Sequence, residues 1–174
     1  MLLSVLIAAS NQDKKEKAEL TKRLMPLIRK RNWELYAELM AGDDINAKTM
    51  QQVAQSDLVL LILSADFLAE ELCHQVATSA LARNKCDLNT TVVVLLRHCD
   101  WTNTHFKDCI VLPFDHETIA ENQNGDDAWY HKVVKGIEPL MENAELKQTN
   151  TSLQQQVLLL EQQLERLTKR KSNE

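Results

Sequence analysis

Residues 56–73 read SDLVLLILSADFLAEELC, and this stretch decides the fold. Leu58 to Leu63 is an unbroken apolar run of strand length. A strand that is apolar on both faces is covered on both faces, so it belongs in the centre of a parallel sheet between helical layers. A polar turn at Ser64 leads into a helical pattern with no Gly or Pro between. Upstream, Leu2 to Ile7 is a second such run, and downstream, Thr91 to Leu96 is a third. Helical patterns separate them, and that alternation predicts a three-layer α/β domain.

The chain has 174 residues, enough for one domain with a substantial core plus an appendage. Its 44% hydrophobic and 26% charged residues are ordinary for a globular chain. The net charge of −5 argues against a nucleic-acid partner, because phosphate contact needs a basic face. Lys169-Arg170-Lys171 reads as the one basic cluster, a helix end complementing the macrodipole. No apolar run reaches the length of a membrane span, so no membrane partner is expected. The N-terminal LLSVLIAA lacks a basic segment before it and reads as the first strand rather than a leader. Cys73, Cys86, Cys99 and Cys109 have no disulfide-scaffold spacing, which fits a reducing cytoplasm.

Around the central strand the pattern extends in both directions. Ser10-Asn11-Gln12-Asp13 is a helix-start sequence, with a helix from about Lys14 to Arg31 burying Ala18, Leu24, Met25 and Ile28. Pro26 is expected to kink or divide it. Trp33 to Tyr36 is a short strand, Leu39 to Asn46 a loop, and Ala47 to Gln55 a second helix. A third helix is expected to start near Asp66 and carry Leu68, Leu72, Val76, Ala80 and Leu81. Cys109 to Leu112 is a short fifth strand stopped by Pro113. The last helix begins near Ala128, with Pro139 interrupting its pattern.

After about Asn143 glycine and proline disappear, which divides the chain into residues 1–142 and 143–174. Leu146, Leu153, Leu160 and Leu167 recur every seven residues, with Asn150, Val157 and Leu164 between them. This is an a/d heptad with Leu at every d, the narrow seam of a coiled coil. Val and Asn at a positions favour a parallel pair, and a buried Asn150 pairs best with its own copy. The flanking e and g positions carry few charges, so salt bridges do not choose the partner. The alternative is an amphipathic helix folded back on its own domain.

Several segments, in order, carry a resemblance to the bacterial-type TIR (Toll/interleukin-1 receptor) domain over about residues 2–142. They are Leu6 to Asp13, Gly42-Asp43-Asp44-Ile45, Ser56-Asp57, Ser64 to Leu68, Cys73, Leu95 to Trp101 and Ala128-Trp129. The resemblance implies a flavodoxin-like, five-stranded parallel sheet of order 2-1-3-4-5. It implies that Gly42, Asp43, Asp44 and Ile45 lie in the loop through which such domains contact one another. It also implies that some members cleave NAD with a glutamate three residues after the cysteine. Here that position is Val76, and a one-residue slip offers Gln75 or Ala77, none of them ionisable. Ala37, Glu38 and Ala9 depart from the family pattern as well. Glu70 and Glu71 are the substitute carboxylates, though acids in a first helical turn are usually dipole partners.

Other chemistries find less support. His98, Cys99, His105 and Cys109 fall close together but match no zinc spacing, so no metal is expected. The glycines form no phosphate cradle, and no cofactor is expected. Asp13 with Asp43 and Asp44 lacks the lysine that a phosphoacceptor site needs. The expected function is a catalytically degenerate signalling or defence module, acting by homotypic assembly and dimerised by the coil. The alternatives are an NAD glycohydrolase with a shifted carboxylate, or a TIR mimic that interferes with host signalling.

Overall fold

The computed structural model describes residues 2–36, 45–102, 104–123 and 125–171. Five strands, β1 (Ser4–Ala8), β2 (Glu34–Tyr36), β3 (Leu58–Leu63), β4 (Thr90–Leu95) and β5 (Ile110–Leu112), form one sheet in the order β2-β1-β3-β4-β5. Every pairing is parallel. All six residues of β3 are buried, as a strand covered on both faces must be.

Alternate residues of β3 serve two cores. Val59, Leu61 and Leu63 join Val53 of α2 (Ile45–Gln55), Phe67 of α3 (Ala65–Ala69) and Cys73, Val76 and Ala80 of α4 (Glu71–Lys85). Leu58, Leu60 and Ile62 point to the other face. The buried Leu20, Leu24 and Ile28 of α1 (Lys14–Arg31) and Trp129, Val133 and Ile137 of α5 (Asp126–Lys171) complete the core. Arg23 of α1 lies 4.9 Å over the Tyr130 ring of α5 and pairs with Asp127, which ties the two helices together.

Several local expectations change. The helix expected from Asp66 is two helices, because Glu70 takes an extended conformation and separates α3 from α4. Ser64 caps α3 by accepting from the Phe67 N–H at 3.1 Å. Pro26 does not divide α1, which runs unbroken to Asn32; that residue closes it in the left-handed conformation. Ala18 is exposed and Leu20 is buried instead. Pro139 likewise sits inside α5 without ending it.

The chain divides into two compact units, Met1–Leu140 and Met141–Glu174. The described part of the second, residues 141–171, is the later turns of α5.

Candidate functional site

In an open parallel sheet, ligands bind beyond the carboxyl ends of the strands where the order reverses. Here that crevice lies between β1 and β3. The β1 end feeds a short 3-10 turn, Asn11–Asp13, which presents the fully buried Asp13. Its Oδ2 accepts from Ser10 Oγ at 3.0 Å and from Ser64 Oγ at 2.5 Å. Its Oδ1 accepts from Arg97 Nη1 at 2.7 Å. Arg97 also donates to Glu16 at 2.8 Å, and its Nη1 lies 3.8 Å from Asp66. The Ser10 and Ser64 hydroxyls accept backbone N–H groups in turn. This carboxylate therefore joins the ends of β1, β3 and β4 and is fully occupied, which suits a structural clasp rather than a nucleophile.

The substitute carboxylates are placed apart in role. Glu70 accepts from the Asn11 backbone N–H at 3.0 Å and from Asn11 Nδ2 at 2.9 Å, one bond to each oxygen. The carboxylate thus bridges the α3–α4 break to the β1 end. Glu71 is exposed and accepts from Gln75 Nε2 at 3.1 Å. Val76 is only 2% exposed and packs in the core among Leu61, Ala80 and Val93. Ala77 is buried too, and Gln75 is exposed. The Cys73 thiol is pushed up to about 12, first by burial and then by the nearby Glu70 and Asp13 charges. It is an inert core thiol at neutral pH. Burial also raises Cys99 and Cys109.

His98 Nε2 lies 2.7 Å from Glu121, whose carboxyl is held below its usual range by the Thr118 backbone N–H, the Thr118 hydroxyl and His98. Trp101 meets His116 edge-on at 5.6 Å. Among the described residues, no group of three or more His, Cys, Asp or Glu is placed to hold a metal ion.

The loop residues Gly42, Asp43 and Asp44, together with Ala37 and Glu38, lie outside the described residues. Ile45 opens α2, and its side chain is outside them as well. In the second unit the seam residues Leu146, Leu153, Val157, Leu160 and Leu164 are each more than half exposed. Asn150 is exposed with them, and the Leu167 side chain is outside the described residues. Leu158 and Leu159, off the heptad seam, are equally bare, a feature the heptad count passes over.

The TIR domain family matches residues 5–138. A curated relative, the uncharacterized protein y4lF of Sinorhizobium fredii, is 28% identical over 137 residues, covering 77% of this chain. The match spans only 42% of that relative's own length. Among solved structures, the TIR domain of the Toll-related receptor TRR-2 from Hydra magnipapillata aligns with a TM-score of 0.49 at 12% identity, covering 76% of this chain and 96% of that one. The TIR domains of the activated Roq1 resistosome align at 0.44 and 13%, covering 76% and 82%. The CMP N-glycosidase BcmB of Clostridium botulinum aligns at 0.45 and 15%, covering 62% and 84%. With its sheet order and a family match over most of its length, the chain belongs to the TIR domain family.

Proposed function

We propose that this chain is a TIR signalling or defence module that works by homotypic assembly, with residues 143–174 pairing in parallel with a second copy. The observation that carries the proposal is the bare heptad seam. Leu146, Leu153, Val157, Leu160 and Leu164 are 53–61% exposed along one helix. A second copy in the same register would cover all of them and set Asn150 against Asn150. Pairing would also raise the effective concentration of two TIR domains, so that weak contacts between them become populated.

The same reading holds that NAD cleavage is absent. Val76 stands in the core at the position where the family resemblance puts a glutamate, and Asn11 occupies both oxygens of Glu70. A cysteine at Asn150 tests the pairing. Under mild oxidation Asn150→Cys in a Cys86→Ser background should give a disulfide-linked dimer that Cys86→Ser alone does not give. A monomer under those conditions contradicts the parallel pair. Incubation of concentrated protein with NAD should release no nicotinamide; release that vanishes in Glu70→Gln would favour the shifted-carboxylate enzyme.

A further inference from the structure

The strongest charge asymmetry in the molecule lies on α1. Its 18 residues hold eight Lys and Arg against two Glu, a net +6, while the rest of the chain carries −11. The helix buries Leu20, Leu24 and Ile28, and the residues turned away from them are Lys15, Ala18, Lys22, Pro26 and Arg29, flanked by Lys14 and Lys30, all exposed. One carboxylate, Glu19, stands at the edge of that face and is engaged by Arg23 at 2.8 Å, while Glu16 lies off the face and bonds Arg97. Only Lys22 keeps a distant contact, 3.9 Å from Glu19. Among the described residues no acid pairs with Lys14, Lys15, Arg29 or Lys30.

We propose that the solvent face of α1 is a docking surface for an anionic phospholipid bilayer, held at the headgroups. Lys15, Lys22 and Arg29, seven residues apart, run along about 21 Å of helix with Lys14 and Lys30 at the flanks, and small Ala18 and Pro26 between them let the helix lie close to a plane. The apolar face of α1 is committed to the core, and no helix among the described residues is long and apolar enough to cross a membrane. The contact is therefore peripheral and electrostatic. The face has no aromatic side chain to stack on a base and no Asn or Gln to read a groove. A polyanion that wraps the molecule meets its acidic remainder, whereas a flat surface meets only the face turned towards it.

Cosedimentation of the full chain with vesicles tests this. The chain should pellet with phosphatidylserine-containing vesicles at about 50 mM salt, stay free of pure phosphatidylcholine vesicles, and dissociate at about 300 mM. Lys15→Glu with Lys22→Glu and Arg29→Glu should lower vesicle binding by about tenfold or more while circular dichroism stays unchanged. Lys169→Glu with Arg170→Glu and Lys171→Glu makes the same charge change and should leave binding in place. The proposal fails if the parent chain ignores anionic vesicles, or if both triple variants lose binding equally. It also fails if a DNA duplex, and not the vesicles, is bound in an α1-dependent way.

Discussion

Asp13 shows how one buried charge organises the top of the sheet. Its carboxylate holds two serine hydroxyls and an arginine from three different strand ends. Removing it leaves those donors stranded, so Asp13→Ala should cost about 3 kcal/mol in urea unfolding. Val76→Glu should likewise destabilise, by about 3 kcal/mol or more, and gain no NAD cleavage, because the new carboxylate would be buried in the α4 core. Thiol reactivity separates the cysteines at this scale. Alkylation of the native chain followed by mass spectrometry should label exposed Cys86 first and leave buried Cys73 protected until the chain unfolds. The pH dependence has a definite sign. Lys132 and a backbone N–H hold the Asp115 carboxyl below its usual range, and Thr118 and His98 hold down Glu121. Carboxyls with depressed folded values stabilise above their unfolded values and lose that contribution as pH falls. Amide protection in residues 115–121, taken relative to the intrinsic exchange rate at each pH, should therefore fall below about pH 4.

Among the elements, β1, β3, β4 and β5 were legible as short, largely apolar runs bounded by polar turns, while β2, with exposed Glu34, rested on its place between two helical patterns. The β3 pattern alone required a covered, parallel centre. The break at Glu70 was not legible, because no Gly or Pro marks it; it depends on a carboxylate reaching Asn11, a residue 59 positions earlier. Nor was the basic face of α1 read, since a net charge of −5 for the whole chain conceals +6 on one helix. Proline proved a weaker guide than tertiary packing: Pro26 lies on the exposed side of α1, where the lost hydrogen bond faces water. Packing also opposes propensity at Gly136, where an added Cβ would collide with the buried Leu112 side chain. Gly136→Ala should lower the melting temperature despite alanine's helical preference of about 1 kcal/mol. Asn150→Leu should raise the melting temperature of the coil and broaden its oligomeric state, as read by light scattering.

For the whole molecule, a TIR domain with valine at core position 76 is followed by a helix whose heptad leucines are exposed. The loop that the resemblance assigns to domain–domain contact is proposed to strengthen the pairing of two copies. Asp43→Lys with Asp44→Lys should leave folding intact and weaken the association of TIR domains that a chain ending at Asn143 shows only far above micromolar concentration, as measured by concentration-dependent light scattering. On the function proposed above, the coil rather than the domain sets the oligomeric state. Sedimentation velocity at micromolar concentration tests it most directly, comparing the full chain with one ending at Asn143. The first should sediment as a dimer and the second as a folded monomer. A monomeric full chain, or a dimer that survives loss of residues 144–174, would contradict it.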